Sequence, residues 1–316
     1  MSRTTIDVTV TSARALTPLI REFTFTATDG SALPRFSAGS HIQVQIPNGT
    51  RLLRNAYSLV SDPGDSRQYR IAVRRQDDSR GGSRYMHEQV QVGDQLVIGS
   101  PANLFAPHSR AGHHILVAGG IGITPFMAYI HEFERRGLSF ELHYAFRSDL
   151  TNAYEQELRE RLGERLHVYD ADRNTPLELT QLLRERSLTT HVYCCGPQRL
   201  IDGVRDAARS LGWSDARVHF EAFAAPEPGE PFTARLLRSN TTITVGADES
   251  LLEALEGVGI EVANLCRGGV CGQCATRYES GDVDHRDHFL SAEDRQHMLM
   301  PCVSRCRKNS TLTLDL

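Results

Sequence analysis

The stretch LCRGGVCGQC, residues 265–274, places three cysteines close together near the end of a chain of 316 residues that has only seven. Five of the seven lie beyond residue 265. A disulfide framework would spread them along the chain, so the clustering points to metal or redox chemistry. Gly268, Gly269 and Gly272 interleave them. Glycine lets a loop backbone bend closely around a bound group and turn its N–H donors inward.

Cys266, Cys271 and Cys274 read C-x4-C-x2-C, and Cys302 follows after 27 intervening residues. This is the ligand spacing of a plant-type 2Fe–2S centre. Zinc is the alternative, but zinc sites pair one short C-x2-C with a second, and here the second pair would be Cys302 and Cys306 at x3, leaving the x4 gap unused. Cys306 competes with Cys302 as fourth ligand. The two histidines of HRDH (285–288) lack suitably spaced partners and read as solvated surface.

Outside that loop the composition is ordinary: 40 % hydrophobic, net charge −4, pI near 6.4. This balance argues against a nucleic-acid partner. The first residues, MSRTTIDVTVTSARALTP, alternate polar and apolar and do not read as a signal peptide. No apolar run reaches membrane length. The expectation is a cytoplasmic monomer.

Periodicity divides the chain. Residues 1–106 alternate at period two (IDVTVTSA, REFTFTA, HIQVQIPNG, YRIAVRR, DQLVIGSP), with turn residues at Asp29–Gly30 and at 47–49. They predict an antiparallel β-barrel or sandwich. Residues 107–226 alternate strand and helix and predict a parallel-sheet α/β domain. Helices are expected near 153–162, 176–186 and 198–211. Thr124 is the expected N-cap of the first helix, with Pro125 after it and Gly137 as its stop. AAPEPGEP (224–231) reads as linker, set at 227–232, before a third domain at 233–316. There SLLEALEGVG reads as a helix opened by a Ser250–Glu253 capping box.

AGGIGITP carries Gly119, Gly120 and Gly122 between a strand and a helix, where amides and a helix N-terminus hold a pyrophosphate. Alone it is also a plain tight turn. Pro125 stands where a dinucleotide fingerprint has its third glycine, and YCCGP (193–197) ends a later strand of the same sheet. Cys194 reads as strand packing. Asp172, at the end of HVYDAD, is placed to bond ribose hydroxyls and repel a 2′-phosphate, which favours NADH; Arg173 follows it directly and Arg147 follows the preceding strand, and both could weigh against that preference.

These motifs together resemble the ferredoxin–NADP reductase superfamily. With a plant-type ferredoxin at the C-terminus, their order is similar to the phthalate dioxygenase reductase family, which includes vanillate demethylase reductases. The resemblance covers nearly the whole chain. It implies that RNAYSL (54–59) binds flavin, with Arg54 on a phosphate, Tyr57 against the isoalloxazine, Ser58 near its reactive nitrogen and Leu59 closing the motif. Many relatives have one residue between the arginine and the tyrosine, whereas here there are two. Gly81, Gly82 and Ser83 would take the flavin phosphate, and little room for an adenine extension favours FMN over FAD. Gly119, Gly120, Gly122 and Thr124 would hold the pyrophosphate of NADH. Cys195, Gly196 and Pro197 would lie beside the nicotinamide, and Phe223 would cover the flavin. The cluster ligands would be Cys266, Cys271, Cys274 and Cys302. The implied activity is reduction of a terminal Rieske-type oxygenase, an aromatic dioxygenase or demethylase, with electrons passing from NADH through FMN and a 2Fe–2S cluster. A cytochrome P450 acceptor, or a sensory nucleotide-binding protein with structural zinc, are the rival readings.

Overall fold

The computed structural model describes residues 5–48, 51–77, 80–173, 175–223, 228–307 and 310–316. Gly49 of the turn expected at 47–49, residues 78–79 of RRQDDSR and residues 224–227 of AAPEPGEP lie outside them. The chain divides into two compact units, Met1–Ala222 and Phe223–Leu316.

The first unit opens with an antiparallel sheet. Its strands are β1 (Thr5–Thr17), β2 (Ile20–Ala27), β3 (Ser40–Asn48), β4 (Arg51–Ser58), β5 (Tyr69–Arg74), β6 (Gln95–Gly99) and β7 (Ala102–Asn103), with helix α1 (Gly82–Glu88) between β5 and β6. The order is β4-β3-β6-β1-β2-β5, with β7 on β3. Alternation turns Val8, Val10, Phe23, Phe25, Ile42 and Val44 inward, where they are fully buried. The two edges meet where Leu59 bridges Ile71. The Val60 N–H also donates to the Arg70 carbonyl at 2.9 Å.

The α/β part follows: β8 (His113–Gly119), α2 (Thr124–Arg136), β9 (Phe140–Phe146), α3 (Ser148–Thr151), α4 (Glu155–Leu162), β10 (Leu166–Asp170), α5 (Leu179–Leu183), β11 (Thr190–Cys195), α6 (Gln198–Ser210) and β12 (Val218–Glu221). All five strands are parallel, in the order β10-β9-β8-β11-β12. The winding therefore reverses between β8 and β11, and their C-terminal ends flank the crevice where such sheets bind ligands.

The first two turns of α2 are buried on every side, with Phe126, Met127, Ala128, Tyr129 and Ile130 all at most 1 % exposed, whereas Arg135 and Arg136 at its end are exposed. One side packs on the parallel sheet and the other meets Ile20, Ala38, Val60, Ala72 and Phe105 of the barrel, so the two regions share one core. Tyr129 donates to the Phe105 carbonyl at 2.5 Å, and Tyr154 to the buried Glu22 carboxylate at 2.8 Å. Gly137 ends α2 in the left-handed conformation, φ 62.

Two local expectations need correction. Thr124 is not an N-cap: a 3-10 turn, Gly120–Ile123, precedes α2, and the Thr124 hydroxyl donates to the Ile121 carbonyl at 2.9 Å instead of accepting from the helix. The helix expected near 176–186 shrinks to Leu179–Leu183, because Arg184 is extended and Glu185 is left-handed, φ 56.

The second unit is an α+β layer. Strands β13 (Phe232–Leu236) and β14 (Thr241–Val245) precede α7 (Leu251–Gly257). Then come β15 (Thr276–Ser280), β16 (Val283–Asp284), β17 (Met298–Leu299), β18 (Arg305–Cys306) and β19 (Thr311–Leu314). The main sheet runs β14-β13-β19-β15-β17, with β13 and β19 parallel. Ser250 and Glu253 form the capping box of α7, and Leu251 and Leu255 bury on the sheet. The architecture is thus multidomain: antiparallel flavin-type barrel, parallel α/β layer and ferredoxin-type unit.

Candidate functional site

The cysteine loop leaves α7 and closes on itself. Cys274 and Cys302 are buried with their sulfurs 3.2 Å apart. Cys266 and Cys271 form a second pair: their mutual hydrogen bond pushes the Cys266 thiol up and the Cys271 thiol down, to about 6. Cys274 is lowered and Cys302 raised in the same way by their shared bond. The two pairs bring four thiol donors together, with Cys266 close enough to Cys274 and Cys302 to act on them electrostatically. The Gly268 N–H donates to the Cys266 sulfur at 3.4 Å, so backbone donors do point inward. Cys306 sits apart, in the sheet core, and its thiol donates to the Ser310 carbonyl at 3.5 Å.

Sequence reasoning missed what holds this loop. Arg267 is left-handed, φ 52, and its buried guanidinium bonds both Glu256 oxygens (2.9 and 2.8 Å) and Asn264 (3.2 Å). That fork pins the loop to α7. Gly269 and Gly272 are also left-handed; a Cβ on Gly272 would stand 2.3 Å from the Phe289 ring. The HRDH segment is only partly surface: Asp287 is 3 % exposed and accepts the Leu290 N–H at 2.8 Å, whereas His288 is exposed.

In the first unit the two ligand turns interlock. A Cβ on Gly122 would lie 2.1 Å from the Cys195 carbonyl oxygen, and one on Gly119 would lie 2.7 Å from Pro197. A Cβ on Gly196 would meet the Gly119 backbone at 2.9 Å. These glycines therefore allow the turns after β8 and β11 to touch, backbone to backbone, at the switch point. Gly120 is left-handed, φ 53, and open by comparison. The Cys195 side chain is fully buried in the shared core, and burial pushes its thiol well up, with Glu221 on the neighbouring strand adding to the effect. Cys194 packs on the opposite face, towards α5 and α6.

Asp172 lies past the end of β10, exposed on a 3-10 turn. The carboxylate that ends the strand is Asp170, buried, accepting the Asp172 N–H at 3.0 Å and paired with Arg173 at 3.3 Å. Moreover β10 is the sheet edge; the strand beside β8 is β9, followed by exposed Arg147.

On β4 and just past its end, alternation sets Leu53, Asn55, Tyr57 and Leu59 towards the barrel core and Arg54, Ala56, Ser58 and Val60 to the other side. Leu59 is barrel core and Val60 belongs to the core shared with α2. Asn55, not Arg54, therefore shares a face with Tyr57, and its amide donates to the Tyr57 hydroxyl at 3.1 Å. The half-buried phenol is pushed up to about 12 by desolvation and stays neutral. Asn55 also brings the strand to the glycine turn: a Cβ on Gly82 would stand 2.4 Å from its nitrogen. Gly81 is left-handed, φ 98, ahead of α1. The Ser83 hydroxyl accepts the Gln76 N–H at 3.0 Å. Ser58 is 4 % exposed and its hydroxyl has no hydrogen-bond partner among the described residues. A buried hydroxyl of this kind suits a bound polar ring edge. Phe223, in the other unit, is 45 % exposed.

Residues 235–307 match the family model of a 2Fe-2S iron-sulfur cluster binding domain. Residues 101–218 match that of the dimethylamine monooxygenase subunit DmmA-like N-terminal domain. The chain is 59 % identical to the heme-dependent oxidative N-demethylase beta subunit of Ectopseudomonas mendocina, covering 99 % of both chains. It is 39 % identical to the vanillate O-demethylase oxidoreductase of Acinetobacter baylyi, over 98 % of this chain and 99 % of that one. A solved phthalate dioxygenase reductase, described as a modular structure for electron transfer from pyridine nucleotides to 2Fe–2S, superposes with a TM-score of 0.90 at 36 % identity, covering 99 % of this chain and 98 % of that one. The chain belongs to the family of phthalate dioxygenase reductase and vanillate demethylase reductase, oxidoreductases that serve as reductase components of oxygenase systems.

Proposed function

We propose that this chain takes electrons from NADH, passes them through FMN to a 2Fe–2S cluster, and delivers them singly to a terminal iron oxygenase. FMN supplies acceptance of an electron pair and its release one at a time, and the cluster carries single electrons onward. The observation that carries the reading is the two-pair grouping of Cys266, Cys271, Cys274 and Cys302.

Around these groups the chain binds and orients. The turn at Gly119, Gly120 and Gly122, with Thr124 behind it, offers amides to a pyrophosphate at the switch point. Cys195, Gly196 and Pro197 form the facing wall for the nicotinamide through their backbone. Ser58 gives its buried hydroxyl to the flavin edge, while the Tyr57 and Leu59 side chains stand on the opposite face of the strand, Leu59 as barrel core. Gly81, Gly82 and Ser83 close the phosphate end, Ser83 by its backbone since Gln76 engages its hydroxyl. Arg54, on the outer face, reaches the phosphate by its length. Phe223 keeps the family role of flavin cover, and Asp172 opposes a 2′-phosphate from its exposed turn.

For the partner, the resemblance to phthalate and vanillate reductases supports a Rieske-type oxygenase acting on an aromatic compound. A second reading is favoured by the 59 % identity to a subunit named for heme-dependent oxidative N-demethylation: the acceptor is then a haem-iron enzyme acting on an alkylamine. The test mixes NADH-reduced protein, without oxygen, with a Rieske oxygenase and separately with a haem-dependent N-demethylase subunit. Rapid cluster reoxidation by one of them selects that reading. Reoxidation by neither contradicts an oxygenase partner.

A further inference from the structure

Away from the switch crevice, β9 and β10 carry a second donor set. Glu141 and His143 are two residues apart on β9 and so share a face. His167 on β10 stands in register with His143. The two imidazoles stack, ring centroids 4.6 Å apart and planes within 14°. One ligand atom from each of Glu141, His143 and His167 lies within 4.8 Å of the others.

We propose that Glu141, His143 and His167 bind one borderline divalent cation, of which zinc is the representative. His143 is 4 % exposed, and its Nε2 has no hydrogen-bond partner among the described residues. That atom lies 3.3 Å from Glu141 Oε1. Donors on a tetrahedral zinc at about 2.0–2.1 Å stand roughly 3.3 Å apart, so the spacing is that of two ligands on one ion. The other nitrogen, Nδ1, is bonded to the Tyr169 hydroxyl at 2.9 Å. A ring held there by Nδ1–H presents its Nε2 lone pair, the usual support of a metal-binding histidine.

Glu141 is also held by Arg186, whose Nη2 lies 2.9 Å from the same Oε1 while its Nε donates to the Leu182 carbonyl at the end of α5. His113 Nε2, 3.9 Å from the same oxygen, is the nearest further nitrogen. His167 is exposed, so the ion reaches the site from solvent and keeps an open coordination position there. Two imidazoles and a carboxylate suit zinc, nickel or copper better than calcium or magnesium. The ion would tie the edge strand β10 to β9, independently of the electron path.

The test uses the cluster-loaded, flavin-loaded protein dialysed against zinc. One zinc per chain is expected, with X-ray absorption showing nitrogen and oxygen neighbours. His167→Ala and Glu141→Gln should each weaken binding at least about tenfold, and Cys306→Ser should leave it unchanged. His167 is exposed, so its truncation leaves the core intact. No zinc taken up by the wild-type chain overturns the proposal. So does sulfur in the zinc shell, or unaltered binding in both ligand variants.

Discussion

Gly122 and the Cys195 carbonyl are in direct contact: any Cβ at residue 122 would stand 2.1 Å from that oxygen. The contact fixes the spacing of the two turns that flank the switch crevice. Gly122→Ala must push them apart, which costs about 1–3 kcal/mol by overpacking. An ångström of displacement at a reacting centre lowers kcat/KM for NADH by on the order of 100-fold. Gly137→Ala is the control. It is left-handed but has nothing within 4 Å, so it should lose about 1 kcal/mol and keep normal NADH kinetics. Equal kinetics in the two variants would contradict the interlock.

Ser58→Ala removes a buried hydroxyl that has no hydrogen-bond partner among the described residues. Stability should hold or rise, because an unsatisfied polar group disappears. If Ser58 serves the flavin, anaerobic reduction by NADH should slow by about 100-fold, with flavin content retained. Unchanged stopped-flow reduction would remove Ser58 from the site.

Cys271→Ser should abolish the cluster, seen as loss of its visible and paramagnetic signals, while NADH still bleaches the flavin. Cys306→Ser should keep full cluster content, since that thiol lies in the sheet core bonded to the Ser310 carbonyl. Cluster loss in Cys306→Ser would exchange the fourth ligand.

His191 and His219 are both held down to about 4 by burial and by neighbouring histidines, His108 among them. The unfolded chain therefore binds more protons than the folded one between about pH 6.5 and 4. Stability contributed by the neutral pair is full above pH 6.5, falls through that window and is lost below it. The loss is on the order of 3 kcal/mol per imidazole at most. Trp213, the single tryptophan, packs in the first unit and reports its unfolding. Denaturant midpoints at pH 7 and pH 5 should differ in the wild type and less so in His191→Gln; equal shifts would contradict the assignment.

The grouping of the cysteines was legible because three of the four expected ligands are local to one loop. The glycine turns were legible too, but their purpose was only half visible, since Gly122 meets Cys195 across 72 intervening positions. Asp172 was misplaced because the strand ends two residues earlier, at Asp170, and sequence order does not reveal that β10 is the sheet edge. Asn55 and Arg267 went unseen. One acts by strand parity beside Tyr57, and the other by an unusual left-handed backbone that no residue type announces. The helix expected over 176–186 failed where Glu185 turned left-handed.

The central claim is an electron path from NADH through flavin to the four-cysteine cluster. Anaerobic addition of NADH to the purified protein, followed by visible and electron paramagnetic resonance spectra, tests it most directly. The account predicts flavin bleaching followed by the signal of a reduced 2Fe–2S centre in the wild type, and flavin bleaching alone in Cys271→Ser. A colourless protein, or a wild-type cluster that stays oxidised while the flavin is reduced, would contradict it.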